Sequence, residues 1–292
     1  MKEREIKEAT DRKYESDQEA RYGEIESVNW HVWPLCNYKC KFCFATFQDK
    51  NHLTREEYLK IPPMLADFGI KKINYVGGEP MLCPHLGELL SVSKQSGLVT
   101  SIVTNGSLLT GDFLCQNQEN LDWIGISIDS SSENTEKKLG RGNGQHVRRA
   151  VQAASMVKEY GIKLKINTVV TQLNYKDDMQ SLISELEPDR WKVFQFLPIE
   201  GENDGSALRM LITNDQFMEF VKRHERLGPV YEDNNAMTGS YVMIDPLGRL
   251  FQNWDGKYRY SKSILEIGFP EALGQVGWDN KKYIQRGGRY KW

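Results

Sequence analysis

Three times in the first 170 residues a helix-periodic polar stretch closes on a glycine and passes straight into an apolar run. Phe68-Gly69-Ile70 leads into 73–76, Ser96-Gly97-Leu98 into 102–103, and Tyr160-Gly161-Ile162 into 164–170. Glycine accepts the left-handed backbone at which helices end, so each junction has a local cause. Helix starts are marked by Thr54 with Glu57 and Thr213 with Gln216, spaced as capping boxes. Strands are expected to begin near Val28, Lys72, Val99, Asp122, Lys163 and Arg190, with helical segments between most of them. That alternation predicts an α/β fold with a parallel sheet wrapped by helices. Six units before residue 200 predict a partial (β/α)6 barrel rather than a closed eight-fold one. After Arg209 the pattern loosens into a helix over 214–226 and antiparallel strands over 241–245 and 250–254. The Gly-, aromatic- and base-rich stretch 268–292 is expected to cap the barrel opening. The division that follows is a charged leader over 1–26, the partial barrel over 27–209 and a C-terminal extension over 210–292.

Strands of a helix-wrapped parallel sheet are buried on both faces and should be nearly continuously apolar. Three of these strands break the rule with period two. Lys72, Asn74 and Val76 share one face; so do Lys163, Lys165, Asn167 and Val169, and Arg190, Lys192, Phe194 and Phe196. With the apolar alternates packed on helices, Lys72, Lys165, Asn167, Arg190 and Lys192 point into the barrel. A buried ammonium without a partner is costly, so the interior calls for an anion, and a polyphosphate matches several cations at once. The competing reading for Lys163 and Arg190 is a strand start whose cation reaches solvent.

The formal net charge of -2 gives no whole-protein field for nucleic acid or an anionic membrane, so any anionic ligand must be captured locally. No apolar run approaches the length of a transmembrane helix, and the leader lacks both a signal-peptide core and an amphipathic face. The expectation is a soluble cytoplasmic monomer. Of the five cysteines, Cys36, Cys40 and Cys43 fall within eight residues, while Cys83 and Cys115 stand alone and are expected to be small buried apolar residues. This is no disulfide framework. A zinc site made by the triplet with His31 or His52 is one alternative, giving a zinc-stabilised binding module.

The triplet reads C-x3-C-x2-C directly after the first strand. Thiolates at these offsets can hold three irons of a [4Fe-4S] cluster and leave the fourth open to chelate a ligand. Phe42 precedes the last cysteine, where an aromatic ring suits an adenine. The second strand ends in Gly77-Gly78-Glu79-Pro80, glycines that permit close backbone approach. Thr104-Asn105-Gly106 and Ser127-Ile128-Asp129 end the next two strands on the same rim, where ligands of parallel sheets sit. With this triplet, aromatic and glycine turn the chain resembles the radical S-adenosylmethionine (SAM) superfamily. The resemblance implies Cys36, Cys40 and Cys43 as cluster ligands, with Phe42, Gly77, Gly78, Glu79, Asn105 and Ser127 at SAM and Asp129 less firmly so. No cysteine follows Cys115, which excludes a C-terminal auxiliary cluster.

A narrower likeness covers about nine-tenths of the chain: Ser27-Val28-Asn29-Trp30-His31, Gly140-Arg141-Gly142, Lys165-Ile166-Asn167, Arg190-Trp191-Lys192-Val193, Glu200-Gly201-Glu202-Asn203 and Arg286-Gly287-Gly288-Arg289-Tyr290 resemble the viperin family. That resemblance implies a 3'-deoxy-3',4'-didehydro-nucleotide synthase, making a chain-terminating antiviral nucleotide from a ribonucleoside triphosphate. CTP is the first expectation, with UTP and GTP open. It further implies an electron donor such as flavodoxin or ferredoxin. Lys72, Arg141, Lys165, Arg190 and Lys192 would bind phosphate, Asn29 and Asn167 ribose or neighbouring phosphate, and Tyr290 would close the site and deliver a proton. The leader departs from the animal enzymes, which begin with an amphipathic membrane helix; a prokaryotic or fungal relative is expected. Val32-Trp33-Pro34-Leu35 departs from their Thr-Arg-Gln type close to the base. The rival within the superfamily is an enzyme acting on a phosphorylated non-nucleotide.

Overall fold

The computed structural model describes residues 25–292, so the expected leader lies outside the described residues except for its last two. Six strands follow one another with helices between: β1 (Ser27–Trp33), α1 (Arg55–Asp67), β2 (Lys72–Gly77), α2 (Leu86–Gln95), β3 (Val99–Thr104), α3 (Gly111–Asn117), β4 (Trp123–Ser127), α4 (Glu133–Leu139), α5 (His146–Glu159), β5 (Lys163–Val170), α6 (Gln180–Leu186) and β6 (Arg190–Gln195). Each expected strand start is met within one residue. Beyond β6 come α7 (Asp204–Met210), α8 (Asn214–Arg223), β7 (Val230–Glu232), α9 (Asn234–Met237), β8 (Met243–Ile244), β9 (Arg249–Gln252) and β10 (Arg259–Ser263). The chain ends in α10 (Ile264–Ile267), α11 (Phe269–Val276) and α12 (Asn280–Gln285).

The strands form one sheet in the order β10-β9-β8-β1-β2-β3-β4-β5-β6-β7. Neighbours from β1 to β7 are parallel, β8 joins β1 in parallel, and β9 and β10 are antiparallel. β7 and β10 stand at opposite edges, so the barrel is partial. The local causes are visible. Gly69, Gly97 and Gly161 end their helices at φ of +101°, +81° and +67°. Both capping boxes form, Thr54 and Thr213 each accepting a backbone N–H from the residue three on.

The period-two pattern sorts the sheet into two faces. Val28, Trp30, Ile73, Tyr75, Ile102, Ile124, Ile126, Leu164, Ile166, Trp191 and Val193 are buried against the helices. Tyr75 hydrogen-bonds Ser93 of α2, and Trp191 packs on Phe220 of α8. Burial of each large apolar side chain contributes about 1.5–3 kcal/mol. The other face carries Asn29, Asn74, Ser101, Gly125, Lys165, Asn167 and Lys192, aligned across the registers Asn29↔Asn74↔Ser101, Gly125↔Lys165 and Asn167↔Lys192.

The C-terminal stretch packs against the end where the strands begin. Tyr290 meets Lys72 and Trp123, and Gly287 O accepts a hydrogen bond from Arg190 at 2.9 Å. Lys72, Trp123 and Arg190 are the first residues of β2, β4 and β6. The glycine turn and the ends of β3 and β4 lie at the opposite mouth. One expectation fails: Cys83 is buried but Cys115 is exposed, because α3 turns Leu114 and Asn117 inward and leaves Cys115 on its outer face.

Thr54→Ala removes one capping hydrogen-bond partner and should cost about 1 kcal/mol. Denaturant titration should show a lowered midpoint with an unchanged slope.

Candidate active site

At the mouth of the barrel the loop after β1 carries the cysteine triplet. It is pinned to the end of α4, where Lys41 N donates to Leu139 O at 2.8 Å. Gly140, at φ +85°, lets the loop lie there; a Cβ would sit 2.2 Å from Lys39 O. Burial pushes all three thiols up, Cys43 to about 11. Arg141 pulls each of them back down, while Cys36 raises the other two and Cys43 also raises Cys40. Such thiols become ligands when iron displaces their protons. Among the described residues no three His, Cys, Asp or Glu side chains converge on a single ion. Cys36 and Cys43 both act electrostatically on Cys40, and soft thiolates grouped on one loop are the donor set an iron–sulfur cluster takes. The zinc alternative is overturned at its histidines. The His31 ring packs edge-on against Phe47 and Phe251, and His52 lies on Trp33 with Nδ1 2.9 Å from Leu53 O.

The glycine turn meets the cysteine loop directly. Gly78 N donates to Trp33 O and Glu79 N to Leu35 O, each at 2.8 Å. A Cβ on Gly78 would lie 2.3 Å from Leu35 O, and one on Gly77 2.7 Å from Trp33 O. The close approach these glycines permit is thus to the chain entering the triplet, a partner the sequence did not suggest. Glu79 is buried, its pKa raised by burial, and it accepts hydrogen bonds from Thr104 Oγ1, Asn105 N and Met81 N. Its carboxylate ties the second strand end to the third. Asn105 touches the Cys36 thiol and donates to Asn37 Oδ1 at 2.9 Å. Ser127 lies on the same rim, its carbonyl 2.8 Å from His146 Nε2.

Phe42 is buried with Leu139, Phe196 and Met210, and the Arg141 guanidinium lies 5.2 Å from its ring centre. Arg141 pairs with Asp129 at 2.5 Å and with Glu136 at 3.8 Å. Burial works against the Arg141 charge, but Asp129, Cys40 and Glu136 outweigh it and raise its pKa. Arg141 therefore stands with the cysteines and its carboxylates, apart from the other residues expected at phosphate.

Those others converge deeper in the barrel. Burial, then Lys165 and Arg190, hold Lys72 down at about 6. Burial, then Lys192 and Arg190, hold Lys165 at about 7. Lys192 is held at about 8 by burial, which Glu232 partly opposes. Lys165 is 5% exposed and has no hydrogen-bond or ion-pair partner among the described residues. Between this floor and the mouth runs a polar band in which Asn74 donates to Asn29 Oδ1 at 2.9 Å. Asn74 Oδ1, Ser101 Oγ and Asn167 Oδ1 are buried there without partners, as hydroxyl-binding groups awaiting a ligand would be.

Three residues of the chamber escaped the pattern of strands. Glu232, fully buried at the end of β7, accepts from Lys192, Arg286 Nη1 and the Tyr241 hydroxyl. The Arg286 guanidinium stacks 3.6 Å from the Tyr241 ring centre. Arg286 lay within a recognised block; a three-residue strand offers no period that would have flagged Glu232. Tyr290 accepts from Lys72 Nζ at 2.6 Å under the Arg190 guanidinium, and burial raises its hydroxyl to about 12. Lys72 and Gly77 are five positions apart on β2, about 17 Å at strand rise, so Tyr290 lies at the floor, away from the glycine turn.

Residues 30–186 match the radical SAM superfamily. The fold agrees: SuiB of Streptococcus suis, solved bound to S-adenosylmethionine, superposes with a TM-score of 0.68 at 16% identity, covering 92% of this chain and 69% of that one. A curated relative from Flammeovirga pacifica, an S-adenosylmethionine-dependent nucleotide dehydratase, is 47% identical over 92% of this chain and 96% of its own length. The S-adenosylmethionine-dependent nucleotide dehydratase RSAD2 of Oncorhynchus mykiss is 38% identical over 91% of this chain and 80% of its own. The chain belongs to the radical SAM superfamily and, within it, to the viperin-like nucleotide dehydratases. Enzymes of this superfamily use a [4Fe-4S] cluster and SAM.

Gly78→Ala should abolish iron uptake on anaerobic reconstitution, because its Cβ collides with the cysteine loop. Gly205→Ala, with open space around the added carbon, should bind iron normally. Iron and sulfide analysis with visible absorption reads both.

Proposed function

We propose that the protein dehydrates a ribonucleoside triphosphate to its 3'-deoxy-3',4'-didehydro form. The observation that carries this is the buried cationic floor around the unpartnered Lys165, set below a polar band and a cluster-binding mouth. When bound, the cluster and SAM supply a 5'-deoxyadenosyl radical at the mouth. Lys72, Lys165, Arg190 and Lys192 hold the triphosphate by charge-assisted hydrogen bonds. Asn29, Asn74 and Asn167 meet the ribose hydroxyls and present C4' toward the mouth. Loss of the C4' hydrogen atom, then of the 3'-hydroxyl as water with one electron and one proton, balances the reaction. The rim carboxylates Asp129 and Glu136 hold Arg141, which contacts phosphate only by exchanging one of them. Tyr290 and the stretch 286–292 keep water from the phosphate end.

CTP is the proposed substrate, with UTP and GTP as its competitors. No described helix is long and apolar enough to cross a membrane. Reduced thiols and a low-potential electron donor of the flavodoxin or ferredoxin type suit the cytoplasm, and the protein is proposed to act as a monomer.

Reconstituted protein given SAM, reductant and each triphosphate in turn should form 5'-deoxyadenosine fastest with one of them, alongside a product lighter by one water. Deoxyadenosine formation indifferent to every triphosphate would falsify the reading. Lys165→Ala should weaken triphosphate binding about 10- to 100-fold, the loss of one charge-assisted contact, with unchanged iron content.

Binding should also take up protons. The free lysines titrate at about 6 to 8, and a bound polyanion favours their charged forms and raises those values. Affinity should therefore fall as pH climbs from about 7 to about 9, above the range where the terminal phosphate itself titrates. Calorimetry in buffers of different ionisation enthalpy checks the uptake directly.

A further inference from the structure

The charge inventory of the floor is lopsided. With their lysines protonated, Lys72, Lys165, Arg190, Lys192 and Arg286 contribute five cations, and among the described residues Glu232 is the one carboxylate that pairs with any of them. The next acid that Lys72 feels, Asp122, is committed elsewhere: it pairs with Lys94 and accepts from Thr100 N. Glu232 is spent as well, on Lys192, Arg286 and Tyr241, and its pKa stays lowered because those cations outweigh its burial. An excess of four positive charges is a close match for a fully ionised triphosphate carrying no counter-ion.

Most proteins that hold a nucleoside triphosphate share its charge with magnesium. That ion requires an octahedron of oxygens from carboxylates, phosphates and water. Nothing on this floor offers one. Taking Glu232 for a metal would strip Lys192 and Arg286 of their partner while both remain buried. A divalent cation riding on the phosphates would meet five positive charges in a medium of low dielectric, where repulsion is strong. It would also remove negative charge from the ligand that the lysines need. Three donors on each ammonium and five on each guanidinium can saturate the phosphate oxygens without it.

We propose that the chamber takes its nucleotide as the metal-free polyphosphate and rejects the magnesium complex. The inference rests on the nucleotide reading above but can fail separately. The probes are CTP, UTP, GTP and inorganic tripolyphosphate, bound to the reconstituted holoenzyme at fixed ionic strength in EDTA and then at rising magnesium. The apparent Kd should rise in proportion to the ratio of total to metal-free ligand. Unchanged or tighter binding with magnesium overturns the proposal. Were Glu232 a metal ligand, wild type would tighten with magnesium and Glu232→Gln would lose that gain, which overturns it equally. Glu232→Gln binding that magnesium still weakens supports it. If tripolyphosphate binds and no nucleotide does, the nucleotide reading falls while the magnesium titration of tripolyphosphate still decides this one. If nothing binds in either condition, both fall.

Discussion

A buried positive charge must find a negative one, and in this protein the requirement is left open. Lys72, Lys165 and Lys192 sit inside a sheet whose outer face is apolar and helix-covered, and among the described residues only Lys192 has a carboxylate partner, Glu232. Their depressed pKa values measure the resulting tension: the fold holds the ammonium groups together against desolvation and mutual repulsion. The stability for this comes from the packed outer face. On the proposed reading an anion would relieve the tension, and the ligand's charge would complete the interior.

The mouth obeys the opposite economy. Arg141, Asp129 and Glu136 form a closed group, Glu79 is saturated by two neighbouring turns, and Gly78 is wedged against the chain that enters the triplet. Rigid polar scaffolding there fixes the thiols before any metal arrives, as a reactive centre requires. Floor and mouth therefore differ in kind: one is an unfilled electrostatic demand, the other a finished frame.

The legible parts of the molecule were those governed by local chemistry. Glycines 69, 97 and 161 announced helix ends because few other residues tolerate that backbone, and the two capping boxes announced helix starts. Lys72, Lys165, Asn167 and Lys192 were legible because a charged or amide side chain is conspicuous in a strand that should be apolar. What escaped depends on the chain closing on itself. Glu232 lies on a strand of three residues, Tyr241 precedes one of two, and both acquire meaning only when β7 and β8 join opposite sides of the sheet. The engagement of Arg141 with Asp129 was hidden because two ordinary charged residues carry no mark of being partners. That Tyr290 closes the floor was equally hidden, since a tail has no period to show which end of a barrel it will cross.

The tail has a consequence for measurement within the barrel. By sealing the end where the strands begin, the stretch 286–292 gives the chamber a fixed bottom about 17 Å from the glycine turn along β2. On the nucleotide reading proposed above, a phosphate chain standing on that bottom would set the height of the sugar it carries, and the chamber would work as a depth gauge. A diphosphate resting on the same lysines would leave its ribose one step too low, with a different carbon, or none, level with the mouth. Chain length would thereby become a criterion of selection without any group that reads the terminal phosphate by name.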